Sequence, residues 1–335
     1  MGGPDMQGTS RDRRARKPAG LVYHVIIAMA ILQPSCFVFI GEPPPRYSPM
    51  GFAMSADGAT VASALARRWG RDFTAVWRVS DPMHAVRFPY SSRVALSPDG
   101  STIAMALGGD VILMSTRSRK RTMHLQAPGE SVGHIAFSPS ARTLAVYGGG
   151  RVCMVSLESG QVRHSFEVDT ERVPRLAFSD DSQQLAVAGS TKLLLWDAAS
   201  SRIVWSVPQR VPWADWMVFS GDGQLLAAVD DDAVAVWETR SGNLRWTRSL
   251  DSYSVNVPLR TVAVAFSIDG HRLVVVGDRG NTLTCDALTG NPLGTTDGDC
   301  SIVVLGGITP SRELLIGVGY GTYLLAKEIA AEAWQ

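Results

Sequence analysis

The chain has almost no net charge, and this absence removes one class of partner. Its 32 lysines and arginines face 31 acidic residues, which leaves a formal charge of +1 over 335 residues. Nucleic-acid-binding domains rely on a basic surface, so we expect no nucleic acid partner. A local excess of positive charge lies in residues 1–18, which hold five basic and two acidic residues. That segment lacks apolar periodicity, so we expect it to be a disordered basic tail.

The sequence also lacks the patterns that carry most enzyme chemistry. It contains no glycine-rich phosphate loop, nucleophile elbow or His-Glu-x-x-His motif. Its four cysteines, at positions 36, 153, 285 and 300, show no Cys-x-x-Cys spacing. We expect Cys153 and Cys285 to be small core residues. A Cys285–Cys300 disulfide is the alternative in an oxidising compartment.

Histidine and aspartate are present in groups that resemble metal sites but have the wrong placement. His84, His124 and His164 are 40 residues apart, and we place all three on outermost strands, where they cannot converge on one ion. The run 230–232 consists of three adjacent aspartates, which we interpret as a solvated turn because they cannot all point inward. We therefore predict no catalytic residue, no cofactor and no metal site.

What the chain has in abundance is one repeated pattern, shown most clearly by residues 217–246. Apolar runs 217–219, 225–229, 233–237 and 244–246 are separated by turns rich in Ser, Asp, Gly and Asn. Runs this short indicate β-strands, since a helix needs about ten or more residues. The stretch predicts one four-stranded antiparallel unit.

A turn residue marks seven copies of this unit. The marker recurs at intervals of 41 to 47 residues, as Ser55, Ser97, Ser138, Ser179, Ser220, Ser267 and Thr309. An apolar residue precedes each marker, and an aliphatic residue follows six positions later. Four strands repeated with this period are typical of propeller blades. We predict an all-β, seven-bladed β-propeller of four-stranded antiparallel blades over residues 50–335.

Two families share features with these repeats. The run Ser97-Pro98-Asp99-Gly100 and the run Leu195-Trp196-Asp197 resemble the WD40 repeat. The turns at residues 241–246 and 289–290 resemble those of quinoprotein-type blades. The chain is similar to a divergent WD40-like propeller, and this resemblance implies a scaffold that binds partners.

The segment before the repeats predicts targeting. Residues 19–32 are apolar, residues 33–35 interrupt them, and residues 36–40 resume the apolar run. An apolar run behind a basic flank is typical of a signal peptide or anchor, so we expect 19–41 to be a signal or anchor segment that contacts a membrane. A proline-rich linker, 42–49, follows. Counting back from Ser55, Cys36 to Gly41 alternatively forms a strand that closes the last blade. Glu332 to Gln335 compete for that position.

One face of the predicted propeller collects aromatic and basic residues. Loops between second and third strands share that face with loops from fourth to first strands. We assign to these loops Trp69, Trp213 and Trp216, together with Arg67, Arg68, Arg71, Arg210 and Tyr253. Aromatic residues and arginine are enriched at binding hot spots. The alternative is that these rings pack on their own blades. We expect the opposite face, with its short Ser-x-Asp-Gly turns, to offer little area.

These observations predict a non-catalytic scaffold that binds a protein or peptide partner through the aromatic face. We expect it to be membrane-anchored or exported, with a cytoplasmic location as the alternative. The competing function is a propeller enzyme or ligand sensor of the quinoprotein or lactonase type. Such a protein needs inward-facing acids or histidines on the first strands. Those strands end in small and apolar residues.

Overall fold

The computed structural model describes most of the repeated part of the chain. The described residues are 36–39, 47–67, 73–78, 80–91, 93–127, 129–211, 214–230, 232–250, 261–267, 269–277, 282–296, 303–308, 313–318 and 324–328. They form 28 strands and no helix. Accordingly, no helix in these ranges is long and apolar enough to span a membrane.

The described strands form seven separate four-stranded antiparallel sheets. The first blade consists of β2 (Tyr47–Met54), β3 (Thr60–Arg67), β4 (Phe73–Arg78) and β5 (Asp81–Pro89). The second consists of β6 (Val94–Leu96), β7 (Thr102–Leu107), β8 (Asp110–Ser115) and β9 (Arg121–Gln126). The third consists of β10 (Val132–Phe137), β11 (Thr143–Gly148), β12 (Arg151–Ser156) and β13 (Val162–Glu167). The fourth and fifth consist of β14 (Arg175–Phe178), β15 (Gln184–Ala188), β16 (Lys192–Asp197) and β17 (Arg202–Pro208); and β18 (Trp216–Phe219), β19 (Leu225–Val229), β20 (Ala233–Glu238) and β21 (Leu244–Ser249). The sixth consists of β22 (Thr261–Phe266), β23 (Arg272–Gly277), β24 (Thr282–Asp286) and β25 (Pro292–Thr296).

The seventh blade is completed by a strand from the other end of the chain. Strands β26 (Val303–Ile308), β27 (Glu313–Val318) and β28 (Leu324–Glu328) are joined by β1 (Cys36–Phe39). Strand β1 pairs antiparallel with β28, so that Cys36 lies opposite Lys327 and Phe39 opposite Leu324. This is the position indicated for an N-terminal strand by the count from Ser55. The rest of segment 19–41, the tail 1–18 and the competing residues 332–335 lie outside the described residues.

The sheets are arranged as a ring. The first strand of each blade contacts the first strands of its neighbours, in the order β2, β6, β10, β14, β18, β22, β26 and back to β2. First strands therefore line the central channel, and fourth strands lie at the outer rim. The prediction of a seven-bladed all-β propeller is confirmed. Strand β2 begins at Tyr47, within the segment assigned to the proline-rich linker.

The core consists of apolar layers between adjacent sheets. Because side chains alternate along a strand, each blade contributes to the layers on both of its faces. In β19, Leu225 and Val229 pack toward the sixth blade, whereas Leu226 and Ala228 pack toward the fourth. Successive side chains on a strand point to opposite faces, so a strand covered on both faces is apolar throughout. This explains why the second strands of the blades are nearly continuous apolar runs.

The turn serines fix the connection between first and second strands. Ser220 Oγ donates to Asp222 Oδ1 at 2.6 Å and accepts from the Leu225 amide at 2.9 Å. The serine hydrogen bond and the Gln224 amide keep the pKa of the Asp222 carboxyl below its usual value. Gly223 completes the turn at φ +69°, a conformation that glycine adopts without strain. Turns at Ser55, Ser97, Ser179 and Ser267 show the same serine–aspartate bond.

Candidate functional site

One end of the channel is formed by the starts of the first strands, and a single repeat position supplies its side chains. Four residues before the turn serine stand Arg93, His134, Arg175 and Trp216 in blades two to five. We call these four residues the mouth ring. Arg175 and Trp216 are the first residues of β14 and β18, and His134 follows a bulge in β10 at Gly133. Bulges often re-aim side chains next to functional sites.

Members of the mouth ring reach from one blade to the next. Arg93 Nε donates to the Gly133 carbonyl at 2.5 Å. One Arg175 Nη lies 3.6 Å from Asp215 Oδ1, at the entry to the fifth blade. Trp216 Nε1 donates to the Thr261 carbonyl at 3.4 Å. The ring therefore links neighbouring blades along the rim of the channel.

His134 differs from the other three because its Nδ1 is buried and has no hydrogen-bond partner among the described residues. Burial, reinforced by the positive charges of Arg175 and Arg93, lowers the pKa of His134 to about 3. The imidazole is therefore neutral at physiological pH. The neutral imidazole adds no charge to the two neighbouring guanidinium groups, and its Nδ1 is enclosed by the protein.

A cavity of about 230 Å³ opens at this end of the channel. Its charged lining consists of Arg93, Arg172 and Arg175 against the single carboxylate of Asp215. Arg172 is exposed in the loop before β14. Desolvation lowers the pKa of Arg175, and Asp215 opposes this effect. The lining therefore favours an anionic group, because three guanidinium groups surround one acid.

The cavity and the predicted aromatic face lie on the same side of the propeller. Both are formed by loops that connect second to third strands or fourth to first strands, including Gly189 and Ser190 between β15 and β16. Arg210 is exposed in the loop that leads to the fifth blade, and Arg67 ends β3 on this side. Arg68, Trp69, Arg71, Trp213 and Tyr253 lie outside the described residues, so their shared surface stays a prediction.

Two sequence-based assignments are corrected by the structure. Trp216 is not in a loop, because it opens β18 and pairs with Val229. The run 230–232 is not simply solvated: Asp230 is buried, and its Oδ1 caps the turn by accepting from the amides of Asp232 and Ala233. The ends of the first strands are apolar, as expected, and their ionisable side chains stand at their starts.

The predicted strand positions of three histidines and two cysteines agree with the structure. His84, His124 and His164 lie on the fourth strands β5, β9 and β13. Cys153 and Cys285 are buried free thiols on third strands, and burial raises the pKa of Cys285 to about 11. The described residues include no group of three His, Cys, Asp or Glu side chains that could hold a metal ion.

Comparison with known families agrees with a quinoprotein-type propeller. A family model described as PQQ_2, outer membrane protein assembly factor BamB, matches residues 148–297. The matched part runs from the end of β11, halfway through the third blade, through the sixth blade. The WD40 resemblance has no such support. No curated protein matches the chain.

Proposed function

We propose that the protein is a non-catalytic scaffold that binds a protein partner on the face of the propeller that carries the mouth ring. The observation that carries this proposal is the cavity in which Arg93, Arg172 and Arg175 face a single acid. An acidic side chain of the partner fits this lining, and the exposed Arg210 extends the positive surface beside it. Charged groups at such a site set the orientation and association rate of a partner.

The family comparison supports a role in assembly. The matching family is described as an outer membrane protein assembly factor. We extend this description to the chain as part of the proposal: the protein is exported or membrane-associated, and its partner belongs to a membrane or envelope assembly. The part of segment 19–41 that precedes β1 would provide the targeting signal. Cell fractionation together with N-terminal sequencing of the mature protein tests this part. Recovery of the intact chain in the cytosol contradicts it.

The partner-binding test is an affinity pull-down from membrane extracts of the native source. Arg172→Glu/Arg210→Glu reverses two exposed charges on the proposed face and should reduce recovery of the partner about 30-fold, which corresponds to about 2 kcal/mol. The matched control is Arg202→Glu/Arg240→Glu, the same charge change at exposed positions on the opposite face. Equal loss in both variants, or loss in the control alone, contradicts the proposed face. Trp69→Ala/Trp213→Ala tests the predicted aromatic anchors in the same assay.

The cavity also suits a small organic anion, which is the ligand-sensor alternative. Purified protein is titrated with citrate, and separately with Ca²⁺ and pyrroloquinoline quinone, while its melting temperature is followed. A scaffold should show no saturable stabilisation. Saturable stabilisation that Arg175→Met removes would favour the small-molecule function over the scaffold.

A further inference from the structure

The face opposite the mouth ring has an outer rim, formed where third strands turn into fourth strands. In the part of the chain whose side chains the structure describes, seven large apolar residues are exposed. Six of them stand at this rim in blades three to six: Val162, Ile203, Val204, Leu244, Leu288 and Leu293. The seventh, Val173, lies in the loop before β14 on the mouth-ring face. The exposed apolar side chains are therefore concentrated along one rim of the propeller.

The position of these residues in their blades explains their exposure. Val162 and Ile203 lie at the starts of β13 and β17, opposite Val155 and Trp196 of the third strands. Val155 and Trp196 are 3% and 4% exposed, whereas Val162 and Ile203 are 53% and 41% exposed. A fourth strand has no further strand beyond it in its sheet. A single exposed apolar residue is ordinary, but recurrence at one rim in four consecutive blades indicates a contact surface.

The same rim is strongly basic in blade two, where the outer turn contains no acidic residue. Arg119 and Lys120 lie in the turn between β8 and β9, and Arg121 opens β9. All three side chains are exposed, and none has an ion pair among the described residues. Arg117 of this turn lines a groove with the ionised Asp99, so its charge is balanced. Three uncompensated positive charges therefore stand side by side.

Basic residues also stand next to the apolar ones in blades three and four. Arg163 follows Val162 in β13, and Arg202 precedes Ile203 in β17. Both basic side chains are exposed. The acids of these two outer turns are Glu158 and Asp197, so five basic residues face two acidic ones along blades two to four. We call the basic and apolar residues of this stretch the amphipathic edge: Arg119, Lys120, Arg121, Arg163 and Arg202 with Val162, Ile203 and Val204.

The centre of the same face has the opposite charge. Hydrogen bonds from the turn serines lower the pKa of the carboxyls that surround the end of the channel, Asp57, Asp99, Asp222 and Asp269. These carboxyls are therefore ionised at physiological pH. An anionic surface is repelled from the centre of the face and attracted to the amphipathic edge. The expectation that this face offers little area considered its inner turns and not its outer rim.

The chain also enters the propeller on this face. Strand β1 runs antiparallel to β28, and Cys36 lies opposite Lys327 near the end of β28. Strand β1 therefore begins on the face at which third strands end. The residues that precede Cys36 include the apolar run 19–32. A membrane segment at this place in the chain is joined to the propeller on the face that carries the amphipathic edge.

We propose that the amphipathic edge contacts a lipid bilayer that contains anionic headgroups. Val162, Ile203 and Val204 enter the boundary between headgroups and acyl chains, while the guanidinium and ammonium groups pair with lipid phosphates. This inference rests on the proposed membrane association and adds an orientation to it. The amphipathic edge faces the bilayer, and the mouth ring faces away from it toward the protein partner.

The test follows the polarity around one valine on each face while the full-length protein is mixed with vesicles. Val204→Cys and Val173→Cys replace valines of similar exposure, 50% and 46%, and each new thiol is labelled with the fluorophore NBD. Cys153 and Cys285 are buried, and Cys36→Ser/Cys300→Ser removes the two remaining thiols. The vesicles consist of phosphatidylcholine with or without phosphatidylglycerol.

With phosphatidylglycerol present, the emission of the label at position 204 should shift to shorter wavelength in a saturable manner, and that of the label at position 173 should not. Lys120→Glu/Arg121→Glu/Arg163→Glu should raise the lipid concentration at half of this change about tenfold or more, because each basic residue near an anionic surface strengthens binding. Vesicles of phosphatidylcholine alone should require a similar excess of lipid. All three replaced side chains are exposed, so the variant should unfold at the wild-type temperature.

Arg172→Glu/Arg210→Glu, which reverses charges on the mouth-ring face, should leave the vesicle titration unchanged. Failure of the partner-binding proposal and failure of this one are therefore distinguishable. The proposal is overturned if the label at position 204 does not respond, if both labels respond equally, or if the triple variant titrates as wild type does. If the label at position 204 stays unchanged while the triple variant loses a partner in the pull-down, the edge binds protein and not lipid.

Discussion

Replacing His134 with glutamine should reduce the loss in the free energy of unfolding that occurs between pH 7 and pH 5. In the folded protein the pKa of His134 is about 3, against an ordinary value of 6.5. The unfolded chain therefore binds a proton at His134 as the pH falls through 6.5, and the folded protein does not. Because protons favour the unfolded state in this window, stability is lost as the pH falls.

The expected size follows from the same pKa values. Below pH 6.5 the loss approaches about 1.4 kcal/mol per pH unit, so that at pH 5 it amounts to about 2 kcal/mol. In the folded protein, burial and the positive charges of Arg175 and Arg93 oppose protonation of His134. The acidic residue on this side of the ring is Asp215, which lies beside Arg175. Carboxyls such as Asp222 have a pKa below the ordinary 3.8, so their contribution is lost at a lower pH than this window.

The assay is urea unfolding of wild type and His134→Gln at pH 7, 6 and 5. Wild type should lose about 2 kcal/mol more than the variant over this range. The stability of the two proteins at pH 7 need not agree, because only the difference in slope reports the titration. Parallel curves would refute the reasoning, since they would show that His134 titrates alike in the folded and unfolded chain.

Three further predictions concern the frame of the propeller. Gly290→Ala should lower the free energy of unfolding by about 2 kcal/mol more than Gly223→Ala, because both glycines have φ near +70° but only a Cβ at 290 overlaps the ring of Trp246. In a Trp246→Ala background this extra loss should vanish. An unchanged extra loss would contradict the contact. Ser220→Ala should cost about 1–2 kcal/mol in denaturant unfolding, since the buried turn loses the acceptor of an amide; a Ser241→Ala control, at an exposed turn, should change little. Removing residues 1–44 should lower the melting temperature, because β28 loses its partner strand, and an unchanged melting temperature would show that β1 adds no stability.

The blades could be read from the sequence because each depends on local chemistry. A serine that caps its own turn and a glycine at positive φ are visible in a single repeat. The recurrence of this turn in seven copies, six marked by serine and one by Thr309, fixes the number of sheets without any knowledge of contacts between them. The same applies to Trp205 and Trp246, whose strand positions follow from spacing alone.

The mouth ring was missed for a different reason. Arg93, His134, Arg175 and Trp216 share one repeat position, so a comparison of residues four before each turn serine would have grouped them. What the sequence does not show is which end of a first strand bears a cavity. It also does not show that Asp215 lies beside Arg175, a contact made between two blades that are 40 residues apart.

The pairing of β1 with β28 has a consequence for the order in which the protein is made. Among the described strands, the earliest to leave the ribosome pairs with the last, so this sheet cannot form until residues 324–328 have been synthesised. The six preceding sheets each use consecutive strands and can form as they emerge. Contacts between distant parts of a chain form slowly. During that interval residues 36–39 are not yet held by a partner strand, and completion of the seventh blade then withdraws them into the sheet.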